Sequence, residues 1–482
     1  MSLAQDAVVV AVDIGSSGVR AFAFAADLTV AATAERAFVT LVDDSGRSAH
    51  DWDEVLANTI ACIADVAASS SVAAIVLSGT ASCVAASVGS GATRQIVGDV
   101  LLWSDARSAA HAAQTHQAQV DGYPRTLCPA HLSYWPAKLL WLRATSSTPL
   151  SFAGAKDYVF EHLTGRFWTD PMSAAATGIF DSVLWRWDEE LLAATGITDS
   201  QLPAVRDATE VATLRGELAA ALGVAADTPV VLGGMDGPLA QLGAGGFGTD
   251  SASCTVGTSI AYRAGVDARV VDAGARVWCY PVFRDFWVLG GAGSNGGNVL
   301  SYTAGIVGNG VGAAVSDAFD RPSDPALVFL PYVWGERAPL WRDELRGAIV
   351  GLGPHHTAAD LNRAALDGIA ILLLELAAAV MSLGGIPSRV YLTGGFLRND
   401  AWAQLMTDAL GRETCVPEPE YATANGAAIL GWLALGTDRA DVAPRPAGDR
   451  RMPSPAIHSQ LQERAVRARR VRDALYPVGG LR

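Results

Sequence analysis

The strongest constraint on the fold lies near the start of the chain. Val8-Val-Val-Ala-Val-Asp-Ile-Gly-Ser-Ser-Gly-Val-Arg-Ala-Phe-Ala-Phe24 runs apolar without a break into Asp13, crosses a turn of small residues, and resumes as an apolar segment from Ala21 to Phe24. A strand without polar alternation is buried on both faces, so this one belongs inside a sheet covered by helices. Gly15-Ser-Ser-Gly18 predicts the hairpin turn that joins the two segments. A second segment, Ala252-Ser-Cys-Thr-Val-Gly-Thr-Ser-Ile-Ala-Tyr-Arg263, repeats the device: apolar strand, glycine, two hydroxyl residues, strand ending near arginine. Two openings of one kind point to a duplicated α/β unit, with two unrelated hairpins as the other reading.

At 482 residues the chain is long enough for two or three domains. Strands are expected at Val72–Leu77, Val100–Trp103 and Val230–Leu232, with a helix at Trp52–Ala68 and a mainly helical stretch, broken by loops, over residues 130–225. The glycine-dense run Leu242–Thr249 marks a composition break and reads as a hinge, which divides the chain into 1–246 and 247–482. Beyond it a strand at Arg389–Leu392 leads through Thr393-Gly-Gly395 into a helix at Asp400–Leu410. The last forty residues, Pro/Arg-rich and then a basic helix, read as a solvated surface element.

Several functions are excluded early. A formal charge of −14 argues against nucleic acid or an anionic membrane as partner, because both reward clustered Lys and Arg. The longest apolar stretch, Ile369–Leu383, is interrupted by Glu375 and ends at Gly-Gly-Ile-Pro, which does not suit a membrane span. The N-terminus lacks a basic region and a signal-like core, so the cytoplasm is the expected compartment. Six cysteines without a CxxC pattern read as reduced, small hydrophobes, and eight histidines without HxxH or HExxH make a zinc site improbable. Only two of the 35 basic residues are lysines, Lys138 and Lys156, and each follows an alanine. Neither a Gly-Lys-Ser/Thr phosphate loop nor a protein-kinase strand lysine can be built from them. A nucleotide here would be held by backbone N–H groups, hydroxyls, arginine and magnesium.

Four constellations offer such chemistry. Asp13 at the end of a buried strand, followed by Gly15, Ser16 and Ser17, supplies a magnesium-facing oxygen beside unobstructed N–H donors, though an ordinary glycine hairpin has the same pattern. Gly257-Thr-Ser259 repeats it in the second half, and Thr393-Gly-Gly-Phe-Leu-Arg-Asn399 suits a flat ring lying on glycine backbone with Asn399 as a polar contact; both also read as plain glycine turns. Gly234-Met-Asp-Gly237 places Asp236 where it can take the proton of an attacking hydroxyl, or simply cap the helix expected at Pro238–Leu242. Gly291-Ala-Gly-Ser-Asn-Gly296 is a literal GxGxxG with Asp317 beyond it, but Gly312–Phe319 reads as helix and the next strand falls at Ala326–Leu330, which speaks against a dinucleotide fold.

Taken together, Asp13–Arg20, Trp103-Ser-Asp-Ala-Arg107, Gly234–Gly237, Gly257–Ser259, Gly335-Glu-Arg-Ala-Pro339, Gly394–Asn399 and the helix-like Tyr421–Gly431 resemble the FGGY carbohydrate kinases, in order from residue 8 to Leu435. The resemblance implies an α/β protein of two actin-like (ribonuclease-H-like) domains with an interdomain cleft, the first binding sugar and the second ATP. It implies Asp13 as the contact to Mg2+ through water and Asp236 as the catalytic base. Gly15, Ser16, Ser17, Gly257, Thr258, Ser259, Gly297, Ser301, Gly394, Gly395 and Asn399 would surround ATP. Thr80, Ala81, Trp103, Asp105, Arg107, Asp236, Glu336 and Arg337 would face the sugar. Within the family, Phe329–Trp341 and Trp287–Gly297 are similar to the gluconate-phosphorylating branch, and xylulose kinases share a related Gly-Glu-Arg segment. The chain departs from both branches at Ala81-Ser82, where they usually carry Met-His. A sugar acid such as gluconate is the first expected substrate and xylulose or another ketose or polyol the second; an actin-like ATPase and a non-catalytic sugar sensor are the readings from other classes. For an anionic substrate Arg107 and Arg337 are the candidate partners, with Arg107 alternatively an ion-pair partner of Asp105. The family likeness also suggests a homodimer.

Overall fold

The opening hairpin folds at the centre of a sheet. The computed structural model describes residues 6–308, 310–417, 421–442, 444 and 448–477. In it β1 (Ala7–Ile14) is buried at every position and pairs antiparallel with β2 (Gly18–Phe24), which pairs in turn with β3 (Val30–Ala37). On the other side β1 lies parallel to β4 (Ser71–Gly79), with Asp13 opposite Ser78. The short strand β5 (Val211–Thr213) and β6 (Pro229–Met235) complete the order β5-β6-β4-β1-β2-β3, with β4 and β6 parallel. Three parallel strands therefore carry Asp13, Thr80 and Asp236 to their carboxyl ends, the edge where open α/β sheets place their sites.

The helix α1 (Trp52–Ala67) starts where Asp51 accepts the Glu54 N–H, and it buries Val55, Cys62, Ile63 and Val66 against this sheet. The stretch expected to be mainly helical is more mixed. It contains α2 (Ala155–Thr164) and α3 (Pro171–Ala175), but also two-residue strands at Trp168–Thr169, Phe180–Asp181 and Arg186–Trp187, which are too short to leave a period in the sequence.

The chain divides into two compact units. The first takes Met1–Phe247 together with Val266–Val288 and Tyr421–Arg445; the second takes Gly248–Gly265, Leu289–Glu420 and Pro446–Arg482. Hydrogen bonds from Tyr123 Oη to the Val277 carbonyl (2.9 Å) and between the Tyr134 and Tyr280 hydroxyls (3.2 Å) fix the first returning segment. The other is the helix Ala422–Ala434, which packs on β1 and on α4 (Asp236–Gly245). The cut between Phe247 and Gly248 falls within the glycine-dense run, and one glycine of that run also serves packing. Gly243 lies buried within α4, and a Cβ on it would stand 1.8 Å from the Ala422 carbonyl, so its absence is what lets the two helices touch. Gly426 does the same from the other side, against the Leu239 carbonyl.

In the second unit β7 (Ser251–Val256) and β8 (Ile260–Val266) form the second hairpin, and β7 lies parallel to β9 (Arg389–Thr393). Helices α5 (Gly297–Ile306), α6 (Val311–Phe319), α7 (Ala358–Gly384) and α8 (Asp400–Leu410) complete its frame. Among the described residues α7 is the one helix long and apolar enough to cross a membrane, but most of it is buried inside the protein, as a core helix should be. The basic C-terminal helix α9 (Pro455–Leu475) is exposed along most of its length, as expected of a surface element, and it is also docked along one stripe. It buries Leu461, Ala465 and Ala468, and it brings Arg464 to Asp367 (2.8 Å) and Arg469 to Glu375 (3.2 Å) on α7. Glu375, the charge that interrupts the apolar run, is where this helix docks. Ala443 and residues 445–447 of the preceding Pro/Arg-rich stretch lie outside the described residues.

Candidate active site

In the first unit the site is built from strand ends. Gly15 N–H donates to the Gly18 carbonyl (2.9 Å) and closes the hairpin. The carbonyls of Ser16 and Ser17 are held by His50 Nε2 and by the Phe38 N–H, each at 3.0 Å, which leaves the two exposed serine side chains at the tip. Asp13 is only 4% exposed; it accepts from Arg20 Nη2 at 3.0 Å and from Ser78 Oγ at 3.3 Å. Burial pushes its carboxyl above the usual range, and Arg20 and Ser78 offset part of that rise. Thr80 sits against the same turn, with its N–H and its Oγ1 both donating to the Ile14 carbonyl at 3.0 Å.

Asp236 reaches this edge through a bulge. The pairing of β6 with β4 slips between Val231 and Gly234, and Gly233 has φ +71° with its Cβ position only 1.7 Å from the Leu77 carbonyl oxygen, so no other residue fits there. The bulge delivers Asp236, half-buried, to the first position of α4, where its Oδ1 accepts the Gly237 N–H at 2.7 Å. A carboxylate there is favoured by the helix dipole, so the expected general base also makes part of the capping contact.

Beneath this edge lies a cluster that the motifs did not reveal. Lys156, 3% exposed, bonds Asp157 (2.8 Å), Asp170 (3.0 Å) and the Leu232 carbonyl (3.3 Å), which lies within the bulge. Its stem lies under Gly79, where a Cβ would come within 2.7 Å. Asp170 in turn caps α3 through the Met172 and Ser173 N–H groups, and Met172 packs under Gly234. Burial opposes the charge on Lys156, yet the two carboxylates hold its pKa above the ordinary value. The second lysine is equally hidden. Lys138 Nζ donates to the carbonyls of Leu102, Trp103 and Ser133 at 2.9, 3.1 and 2.9 Å, and so anchors the loop carrying Trp103. The available signal was the chain's near-total lack of lysine, which makes the two that remain unusual.

The rest of that loop is internally paired. Asp105, fully buried, accepts from the Ser48 N–H and from the Arg107 backbone and guanidinium, while Arg107 Nη1 reaches Asp99 at 3.0 Å and its guanidinium lies 4.8 Å from the Trp141 ring centre. Arg107 is therefore an ion-pair partner of Asp105, the alternative considered for it. Ala81 is half-buried; Ser82 adopts φ +54° and donates to the Ala176 carbonyl at 2.6 Å.

The second unit gathers its own candidates at one place. The Gly257–Ser259 turn is tied to the start of α5 by Gly297 N–H to the Gly257 carbonyl (2.8 Å) and Asn298 N–H to the Thr258 carbonyl (3.2 Å). Ser301 follows one turn along α5, exposed, with its Oγ on the Gly297 carbonyl. Gly394, at φ +118°, lies with its Cβ position 2.4 Å from the Val256 carbonyl, which brings the Gly394–Gly395 turn beside the same strand end. Gly257 and Gly395 have nothing within 4 Å of their Cβ positions, so their backbone is open to a ligand. Asn399 also caps α8, accepting the Trp402 N–H at 2.9 Å. The GxGxxG glycines serve packing: Gly291 against Leu376 and Ala338, Gly293 against Ile260, Gly296 against Ser259, and Asp317 is on α6.

Glu336 and Arg337 belong to the second unit, whereas Thr80, Ala81, Trp103, Asp105, Arg107 and Asp236 belong to the first. Glu336 is fully buried and accepts from the Ser294, Arg337 and Asn295 N–H groups at 2.6, 2.9 and 2.9 Å. Burial lifts its pKa to about 7 in spite of these bonds from Asn295 and Ser294. Arg337 Nη2 donates to the Gly293 carbonyl at 2.6 Å.

A divalent cation fits the first unit: Asp13 is a buried carboxylate whose charge burial disfavours, next to exposed hydroxyls. A different grouping, Asp324 with His355 and His356, does not fit one as well. His356 Nδ1 accepts the Gly353 N–H at 2.8 Å, so in the neutral ring Nε2 carries the proton and donates it to Asp324 at 3.0 Å.

An acid at a helix head beside a serine hairpin, with a glycine-threonine-serine turn in a second unit of related opening, is equipment for moving a phosphoryl group to a hydroxyl. The chain belongs to the FGGY family of carbohydrate kinases: the model of the family's N-terminal domain matches residues 8–243 and that of its C-terminal domain residues 252–435. It is 33% identical over 357 residues to a gluconokinase of Bacillus subtilis (strain 168), covering 70% of each chain. Its fold superimposes with TM-score 0.90 on a gluconate kinase from Lactobacillus acidophilus, 26% identical, covering 97% of this chain and 98% of that one. A ligand-bound xylulose kinase from the same organism gives TM-score 0.90 at 26% identity, covering 98% and 99%. The protein is thus a phosphotransferase with an alcohol group as acceptor and the actin-like two-domain architecture of its family.

Proposed function

We propose that this kinase phosphorylates gluconate, an open-chain sugar acid, with ATP as donor. The observation that carries the choice is the segment Gly335–Trp341, in which a buried Glu336 fixes the loop that carries the planar Arg337 guanidinium, a group whose chemistry suits a carboxylate. The likeness to gluconokinases supports it. Xylulose is the second reading, favoured by the equal structural likeness to a xylulose kinase and by Ala81-Ser82, which leave a different shape beside Thr80.

In this proposal the division at residues 246 and 247 separates a sugar-binding from an ATP-binding part. Asp236 accepts the proton of the attacking hydroxyl. Ser16, Ser17 and the Gly15 turn face the γ-phosphate, while Gly257, Thr258 and Ser259 hold the phosphate chain. Gly297, Ser301, Gly394, Gly395 and Asn399 line the nucleotide pocket. Thr80, Ala81 and Trp103 line the sugar, and Asp105 and Arg107 hold the Trp103 loop in place. Asp13 holds Mg2+ through water, and the ion, when bound, supplies charge neutralisation to the phosphate oxygens. The cytoplasm and a homodimeric state complete the proposal.

ADP release measured with gluconate, xylulose, ribulose and glycerol tests it. The expected result is release that depends strictly on added sugar, with the highest kcat/KM on gluconate. A higher value on xylulose overturns the substrate, and sugar-independent release overturns the kinase mechanism.

A further inference from the structure

The second unit contains a cavity of about 450 Å3 between the end of α6, the first turns of α7 and the first half of α9. Its wall carries three guanidinium groups, of Arg321, Arg363 and Arg464, and its apolar side includes Phe319 and Leu461. Asp367, 1% exposed, accepts from Arg363 Nε (3.2 Å), Arg464 Nη1 (2.8 Å) and Ser323 Oγ (2.6 Å). One carboxylate is therefore shared by two arginines. Arg321 is paired separately with Asp360 through Nε (3.0 Å) and Nη2 (3.4 Å).

The geometry leaves specific valences open. Arg363 lies over the Phe319 ring, 5.2 Å from its centre, and among the described residues only its Nε is bonded. Its two terminal nitrogens form a planar fork of the kind that takes two oxygens of one oxyanion. Asp367 and the ring fix that fork before any ligand arrives, which lowers the ordering cost of binding. Arg321 Nη1, the Gln460 amide and the exposed Asp320 carboxylate complete the polar groups around the cavity.

We propose that this cavity is a second ligand site, one for a small phosphate ester of polyol size. The phosphate sits on Arg363 and Arg321, and the hydroxyls reach Gln460 and Asp320. The volume is far larger than a bare phosphate needs, and the apolar side suits a carbon skeleton. A macromolecular polyanion is a poor match for a chain of charge −14. The cavity shares no residue with the catalytic assignments above, and it gives the kinase a place at which compounds of its own product class can act.

Calorimetric titration of the full chain, saturated with gluconate and a nonhydrolysable ATP analogue, with glycerol 3-phosphate and separately with inorganic phosphate tests it. The ester should bind, and more tightly than phosphate alone by tenfold or more. Arg363→Met and Gln460→Trp should each weaken the ester at least tenfold and leave ATP-analogue binding unchanged. Gln460→Trp fills the mouth from an exposed helix position without breaking an ion pair, so it decides the matter even where Arg363→Met fails to fold. Ester binding that is absent, or equal in wild type and Gln460→Trp, overturns the site. Phosphate binding as tight as the ester overturns the ligand class. Loss of kinase activity on gluconate leaves both results readable.

Discussion

Lys156 Nζ lies 3.0 Å from Asp170 Oδ2, and this buried contact joins the cap of α3 to a lysine that also holds the Leu232 carbonyl of β6, the strand that leads into Asp236. Removing the lysine leaves two carboxylates buried without their cation. Lys156→Met is expected to cost about 3–5 kcal/mol, the range for breaking a buried pair. Burial already raises the Asp157 pKa, with Lys156 opposing it. In the variant that value climbs further, so stability is retained at low pH and lost as pH rises through the folded-state pKa. Melting curves at pH 5 and pH 8 should show the larger deficit at pH 8; an equal deficit at both would mean that the acids are solvated.

Asp236→Asn keeps the side-chain shape but cannot accept a proton. Its kcat should fall by about 10²–10⁴, the scale of general-base loss, with sugar and ATP affinities near wild type. Steady-state kinetics alongside direct titration separate the two effects, and wild-type turnover would move the role of base to Asp13.

Glu336 takes a proton near neutral pH. Its folded pKa of about 7 lies above the ordinary 4.5, so its contribution to stability is full below pH 4.5 and is lost as pH rises through 7. Glu336→Gln cannot ionise. The stability difference between wild type and Glu336→Gln should therefore shift against wild type by about 2–3 kcal/mol from pH 5 to pH 8. Urea unfolding at the two pH values measures it, and a difference independent of pH would rule out a proton on Glu336.

The two motif arginines should part company. Arg337→Met is expected to cost at least ~1.5 kcal/mol more in kcat/KM on gluconate than on neutral sugars of similar length, the low end for a charge-assisted hydrogen bond. Arg107→Met, which removes a structural partner of Asp105 and Asp99, should reduce all substrates alike. Equal losses in Arg337→Met would remove gluconate from first place.

The sequence was most readable where one residue type had one physical use. The unbroken apolar run into Asp13 is a two-sided buried strand, and the helix read at Asp400–Leu410 is found with those bounds. It was least readable where partners are remote. Nothing in Ala-Lys156-Asp announces Asp170, fourteen residues on, or the Leu232 carbonyl, because both contacts exist only after α2 and β6 have packed. The same holds for Gly243, whose helix-to-helix contact with Ala422 looks from sequence like a flexible joint. The docking of the positively charged α9 leaves little trace in the sequence because its buried stripe is only Leu461, Ala465 and Ala468, and the acids it meets sit on another helix.

The burial of Lys138 and Lys156 also determines how the folded protein meets reagents. Both ammonium groups are sealed, at 0% and 3% exposure, and every other basic side chain in the sequence is an arginine. Acylating probes, amine-directed cross-linkers and enzymes that acetylate or ubiquitinate lysine side chains therefore find no lysine on the native surface. Such a label enters a lysine only when the first unit opens, so its incorporation is a clock for unfolding that needs no engineered tag.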